Sequence, residues 1–383
     1  KAKAWCRLSL ASFYFIPGLV FGSWASRIPD IKNALGMSEA AFGGVLFFIP
    51  VGQIAALAFS AYLVSKLGSR QTLVIGAFTY PIALILIGLT QTVWQLSATL
   101  FIYGIGASLC NIATNTQAIG VERVYKRSIM ASFHGLWSLA GFTGGVIGML
   151  MVALNISPFY HFCIVYILIL VIIFALKGSL MPRDLKQPNN DKEKASKKSI
   201  FTRPDQYILI LGIMAFGGMV CEGTMFDWSS IYFEKVIMPP KNLIRLGYVA
   251  AMFSMTMGRF TADRMITRFG VVTILKVCGV IIALGLLTAT IFPYLATATL
   301  GFVLVGLGVS AVVPISYSMA GRSKSMLPGV AIATVSSIGF IGFLLGPPVI
   351  GFIAELTTLQ WSLGLISVIG LSIAVLAPKL KNF

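Results

Sequence analysis

The chain has 383 residues, of which 57% are hydrophobic and only 11% charged, far below the roughly 25% charge of an ordinary soluble domain. That balance excludes a soluble globular fold, whose core cannot hide so much apolar surface. A formal net charge of +17 raises nucleic acid as a partner, a possibility that the placement of the cations decides.

Twelve apolar runs are predicted as membrane spans, at 6–27, 40–64, 71–91, 94–119, 129–153, 159–177, 206–233, 246–263, 271–292, 295–318, 328–352 and 359–377. About 20 apolar residues are needed to cross a hydrocarbon core of about 30 Å as a helix. Runs of that length exclude a barrel, whose strands alternate over about ten residues. The first run is read as a retained span, because it matches the others in length, lacks a small-x-small cleavage site and leads straight into further spans. Cys6, Cys110, Cys163, Cys221 and Cys278 all fall in or beside predicted helices without a CxxC pair, so neither a disulfide framework nor a zinc site is expected. No cofactor is expected either.

With the N-terminus placed inside, only Arg27, Lys32, Lys235, Lys241 and Arg245 of the 29 Lys and Arg fall on the opposite side. This positive-inside asymmetry accounts for the charge without nucleic acid. It places both termini in the cytoplasm.

The segment "KGSLMPRDLKQPNNDKEKASKKSIFTRP" (177–204) is polar and basic, and it divides six spans from six. The reading is a six-helix bundle over 1–177, a cytoplasmic linker over 178–204 and a second bundle over 205–383. An offset of 202 residues aligns Gly68 with Gly270, "GIGAS" (104–108) with "GLGVS" (306–310), and Gly144 with Gly346. One offset shared at three places points to duplication, with the halves related by an axis along the membrane normal. Spans 3, 6, 9 and 12 are the most uniformly apolar and are assigned to lipid. The other eight hold the amides, carboxylates and histidine and are assigned to a central path, since polar groups in a membrane face the bundle interior or a water-filled cavity.

Glu222, near the middle of span 7, stands where an ionised acid costs roughly 2.5–3.5 kcal/mol on insertion scales. Either it takes up a proton on one side and releases it on the other, or it merely bonds across helices. Asp227 is about 140° further round the helix and nearer the outer surface, which suits proton transfer or an ion pair with Arg27 or Lys235 at a gate. Gly104, Ser108, Asn111 and Asn115 form one stripe on span 4. Carboxamides supply donor and acceptor together, fitting a hydroxyl-rich solute or interhelical bonding equally well. On the repeat offset Asn115 corresponds to Tyr317, and Gln53 in span 2 is a further cavity candidate. His134 and Trp137 share a face of span 5. The histidine could relay protons or simply pack, and the tryptophan could stack on a sugar ring or pack.

No Lys or Arg is expected near the middle of a span, with Arg27 and Arg259 towards opposite ends, which favours a neutral or weakly cationic solute. No phosphate-cradling loop ending GK[ST] is present, and no nucleophile triad or metal-ligand spacing points to an enzyme.

The six-plus-six plan, the basic central loop and "GRFTADRMITRFG" (258–270) resemble the major facilitator superfamily over essentially the whole chain. That loop is similar to the family's G-x-x-x-D-R-x-x-G-R-type signature, with Gly258, Arg259, Asp263, Arg264, Arg268 and Gly270 in the matching roles. The first-half loop "AYLVSKLGSRQ" (61–71) departs from it, with Ala61 and Ser65 read at the glycine and aspartate. "WASRIPDIKNALG" (24–36), "SFHGLWSLAG" (132–141) and "GLGVSAVVPISYSMAG" (306–321) look like the bacterial YbjJ-like and MocC-like branch, close to fucose-permease-type sugar transporters. The resemblance implies an all-α polytopic transporter that carries a small polar solute by alternating access, coupled to protons in the better-known relatives. It also implies that Arg27, Asp263, Arg259, Arg264 and Arg268 serve gating. Drug exporters of the superfamily carry Gly-Pro in span 5, whereas here Gly346-Pro347 lies in span 11 and Gly144-Gly145 in span 5. The expectation is therefore a monomeric proton symporter for a sugar-like solute, with a proton-driven exporter of an amphipathic compound as the alternative.

Overall fold

The computed structural model describes residues 2–125, 130–182, 204–323, 325, 326 and 328–382, and every regular element among them is helical. The larger part of the expected linker, 183–203, lies outside the described residues. In chain order the helices are α1 (Ala2–Ala34), α2 (Glu39–Leu46), α3 (Phe48–Leu67), α4 (Ser69–Ile87), α5 (Val93–Tyr125), α6 (Met130–Ala153) and α7 (Pro158–Leu176). There follow α8 (Gln206–Asp227), the short α9 (Ser229–Tyr232), α10 (Leu246–Phe269), α11 (Val271–Ile291), α12 (Leu295–Ala320), α13 (Pro328–Leu356) and α14 (Leu359–Leu376).

Among the described residues, eleven spans are both long and apolar enough to cross a membrane, one of them made of α2 and α3 together. The twelfth is α10, 24 residues long, whose second half carries Arg259, Asp263, Arg264 and Arg268. The expected end at 263 was wrong by six residues. Arginine is a good helix former, and its long stem lets the charge reach water from an apolar helix, so these residues lower the hydropathy without ending the helix. The extension places Arg259 at the centre of α10, not near its end.

Two other departures from regularity have local causes. α1 continues through Pro17 and Pro29, each of which removes a backbone donor. Neighbouring helices can satisfy the acceptors so disturbed, and beside Pro29 the Arg245 Nε of the second half donates to Ser26 O at 3.0 Å. The second span is broken at Phe47, where α2 ends and α3 begins.

The duplication is visible atom by atom. Gly68 and Gly270 join α3 to α4 and α10 to α11 with nearly equal torsions, φ 83°, ψ 156° and φ 81°, ψ 153°, a region that L side chains rarely adopt. A Cβ on Gly104 would lie 2.1 Å from Ile49 O, and one on Gly306 would lie 2.2 Å from Ala251 O, so α5 on α3 and α12 on α10 approach through equivalent glycines. This register sets Asp263 opposite Ala61 and Gly258 opposite Ala56, which shifts the first-half assignment made from sequence and leaves that half without an acid at the signature position.

The result is two six-helix bundles. α1 packs on α6 and α3 on α5 in the first, and α8 on α13, α10 on α12 and α11 on α14 in the second. α4, α7, α11 and α14 turn large apolar side chains outward, among them Ile82, Val171, Phe174, Leu284 and Val368, as assigned from their composition. Between the bundles, α6 runs along α10, while α2 packs on α13 at the end remote from the termini. There Gly43 sits so close to α13 that a Cβ would lie 2.6 Å from Pro347 O. α3 and α13 barely touch. The molecule is thus closed at the termini-distal end and parted towards the termini-bearing end.

Candidate functional site

At mid-bundle, Arg259 of α10 turns towards α8 and α6. Its Nη2 donates to Glu222 Oε1 at 2.7 Å, and Nη1 donates to Ser138 Oγ of the opposite bundle. The guanidinium carbon lies 6.0 Å from the centre of the Trp137 ring, within range of a cation–π attraction. The Arg259 and Glu222 side chains are 18% and 12% exposed, so the pair is largely shielded. A cation therefore does stand at mid-span, contrary to the sequence expectation, and its charge is matched by Glu222.

Towards the termini-bearing end, Tyr14 OH of α1 donates to Asn115 Oδ1 at 2.6 Å, and Asn115 Nδ2 donates to Asn111 Oδ1 at 2.7 Å. Tyr14 is buried against Phe133, ring to ring at 5.1 Å and 9°, while Asn111 is exposed. The chain of bonds consumes Asn111 Oδ1 and leaves its amide hydrogens directed elsewhere. His134 is exposed, meets Tyr14 edge-on at 5.7 Å and lies within electrostatic reach of Arg259. Tyr317 on α12 is half-buried and within electrostatic reach of Glu222. Gln53 is half-buried on α3, and no described hydrogen bond ties it to the asparagines.

One turn beyond Glu222, on the same face of α8, Phe226 packs with Phe21 at 4.8 Å and Trp137 at 6.2 Å, and Phe21 with Trp137 at 5.5 Å. This aromatic layer crosses the interface between the bundles. Trp137, read from sequence as a stacking surface or packing residue, is held within it.

Beyond the aromatic layer lies an ionic closure. Asp30 Oδ2 accepts from Arg27 Nη1 at 3.2 Å and from Arg245 Nη2 at 2.5 Å. Arg27 also donates through Nε to His161 Nδ1 at 3.1 Å and through Nη2 to Ile156 O at 2.6 Å. Asn33 Nδ2 donates to Glu234 Oε1 at 2.7 Å, and Ala40 N to Glu355 Oε2 at 3.3 Å, adding two further bonds across the halves. Asp227 takes no part. The ion pair with Arg27 or Lys235 that its sequence position suggested is absent among the described residues, because Arg27 is already spent on Asp30, His161 and a carbonyl.

At the other end Asp263, Arg264 and Arg268 are exposed. Among the described residues none of the three enters an ion pair, and Arg268 lies 5.3 Å from the Phe269 ring. The sequence reading missed Tyr14, Asp30, Ser138 and His161. Asp30 sits three residues from Arg27, a spacing that signals an ion pair on one helix face. The partners of Tyr14 (Asn115) and of Ser138 (Arg259) are set by helix neighbours and leave no local trace.

The model of the Major Facilitator Superfamily matches residues 10–326. An MFS-type transporter of Yersinia pestis is 30% identical over 366 residues, spanning 95% of this chain and 93% of that protein. The membrane protein MosC of Rhizobium meliloti is 30% identical over 370 residues, spanning 96% and 88%. Among solved structures, a mutant of the nucleoside transporter NupG aligns with a TM-score of 0.73 at 16% identity over 99% of this chain and 100% of that one. A variant of the Escherichia coli fucose:proton symporter FucP aligns with a TM-score of 0.63 at 15% identity over 97% and 98%. A bacterial homologue of the lysosomal transporter Spinster, in an inward-facing conformation, aligns with a TM-score of 0.73 at 14% identity over 100% and 97%. With twelve spans in two repeated bundles and a family match over most of its length, the chain belongs to the Major Facilitator Superfamily and is a multi-pass membrane transporter.

Proposed function

We propose that this transporter takes up a small neutral polar solute, sugar-like in its hydroxyl content, together with protons. The carrying observation is the Arg259–Glu222 pair, which lies within the second bundle and is bonded to Ser138 of the first. A guanidinium cancelled by a carboxylate gives a site with no net charge, suited to a neutral solute. Protonating Glu222 would weaken its hold on Arg259, so proton and solute would act on the same pair. Asn111 and Asn115 would hold hydroxyl or ring oxygens, with Tyr317 and His134 at the margins and Gln53 on the far wall. The fucose:proton symporter and the nucleoside transporter, whose fold this chain shares, carry such solutes and lend weight to the reading.

The cation asymmetry supports a cytoplasmic location for both termini in a bacterial inner membrane. The structure is then the inward-facing state, and transport proceeds by rocking of the halves about the midplane. The Phe21, Trp137 and Phe226 layer gives the site an apolar wall and supports a second reading, proton-driven export of an amphipathic compound. Uptake of labelled sugars, cyclitols and nucleosides into right-side-out vesicles, with the pH gradient imposed in each direction, tests both. Accumulation driven by an acidic exterior supports the first; accumulation in inverted vesicles with an acidic lumen supports the second.

A further inference from the structure

Asp227 closes α8 and is only 6% exposed. Among the described residues it enters no ion pair and accepts no hydrogen bond. An ionised carboxylate removed from water without a partner costs several kcal/mol, so the group must be neutral, bind a cation, or move. No cation among the described residues is close enough to serve. The titratable groups facing it are Tyr103 of α5 and Tyr248 of α10, both buried. Of the elements packed on α8, α12 and α14 bring no charged residue, α13 brings only Glu355, which is bonded to Ala40 N, and α9 brings Tyr232, which donates to Ala289 O. Arg27, Asp30, His161 and Arg245 form the closure on the distal side and are bonded to one another, with His161 Nε2 left without a partner among the described residues.

The surroundings form a buried, polar chamber. Among the described residues Tyr103 OH, Trp24 Nε1 and Ser230 Oγ are buried without a partner; Trp24 packs on Tyr103 at 6.4 Å, and Ser230 lies three residues beyond Asp227. On the side of the open end, the Phe21, Trp137 and Phe226 layer separates the chamber from Glu222. Tyr248 OH bonds Gly141 O of the other bundle, so the chamber is built by both halves and must come apart when they rock. Its sealing therefore depends on conformation.

We propose that Asp227 is a second protonation site, distinct from the Glu222–Arg259 pair, which takes a proton from the outer face when the Asp30–Arg245 closure opens and is sealed with it when the closure forms. The proton enters from water onto a carboxylate oxygen and leaves by the same bond breaking; nothing is oxidised or reduced. The role of this proton in transport rests on the coupled-uptake reading, whereas its presence on Asp227 does not.

Infrared spectroscopy of the purified full chain in lipid nanodiscs tests the site without a solute. At neutral pH the carbonyl stretch of a protonated carboxyl is expected in the unsubstituted protein and in Glu222→Gln, and is expected to vanish in Asp227→Asn. Asp227→Glu, which should shift the band instead of removing it, keeps the test open if the Asn variant does not fold. A band unchanged in both Asp227 variants, or no band at all, overturns the assignment. On transfer to D2O the band should shift slowly, and several-fold faster in Arg245→Gln; equally fast exchange in both overturns the sealing. Solute movement indifferent to pH in a protein that shows the Asp227 band would sink the coupled-uptake reading and leave the protonation site standing.

Discussion

Arg259 donates to Glu222 at 2.7 Å within one bundle and to Ser138 in the other, so a single guanidinium ties the mid-bundle acid to the interface that must move. Glu222→Gln keeps the size and a hydrogen bond but leaves the arginine without its counter-charge. A loss of about 1.5–3 kcal/mol, in the range of a hydrogen bond to a charged group, should lower the melting temperature of the purified protein. Pairing it with Arg259→Gln should cost less than the sum of the single changes, as expected for contacting residues. Counterflow exchange should survive in Glu222→Gln while pH-driven accumulation disappears. Accumulation with unchanged pH dependence would make Glu222 structural.

The line from Tyr14 through Asn115 to Asn111 predicts a graded loss of binding. Asn111→Ala would remove the solute contact proposed for this amide and should weaken affinity by roughly 0.5–1.5 kcal/mol, the net worth of a typical hydrogen bond, without touching proton dependence. Tyr14→Phe keeps the stack on Phe133 and removes only the hydroxyl that orients Asn115. It should weaken affinity less than Asn111→Ala does, and should add little when the two are combined. Equilibrium binding of the solute identified by the vesicle screen measures both. Full additivity would show that Tyr14 does not act through the amides.

Much of the architecture was legible because the membrane imposes it. Span length and the 202-residue register each follow from a constraint that acts along the sequence, and Gly68 and Gly270 meet with matching torsions as the register requires. α10 was cut short because hydropathy treats a snorkelling arginine as a terminus, and that one error removed Arg259 from the middle of the bundle and with it the partner of Glu222. The closure was half legible. Arg27 was singled out, but its partner was sought in Asp227 on a different bundle when Asp30 stood one turn away. His161 was passed over because nothing local shows that an arginine from α1 donates to it. Partners of this kind are chosen by helix neighbours, which a single sequence does not list.

The structure also changes how topology is best probed. Lys32 lies in a distal loop region by sequence, yet it is 1% exposed and bonded to Met37 O and Glu39, so a cysteine there would be poorly reached. Met238 at the distal end is 74% exposed, and Lys66 is exposed at the other end. In a background with the five native cysteines replaced, an impermeant maleimide on intact cells should label Met238→Cys and spare Lys66→Cys. The reverse pattern would place the termini outside and invert the direction of every step proposed.

The closure offers the sharpest conformational test, because the two ends of the molecule should respond with opposite signs. Arg245 is the only one of the closure's two arginines that comes from the second bundle, and it reaches both Asp30 and the Ser26 carbonyl. Arg245→Gln removes a charge-assisted bond worth about 1.5–3 kcal/mol from the distal-closed state alone. Spin labels on the distal ends of the two bundles should then report a distal-open population raised about tenfold or more, since about 1.4 kcal/mol is a factor of ten in an equilibrium. Asp263 is exposed and in no ion pair among the described residues in this state, so a gating role for it would lie in the opposite one, where its signature loop would meet the other bundle. Asp263→Asn should therefore leave the distal-closed state untouched in energy and raise its population. If both substitutions move the distance distribution in the same direction, or Arg245→Gln leaves it unchanged, the Asp30–Arg245 contact is a bystander, and the seal at this end rests on the packing of Gly43 against α13.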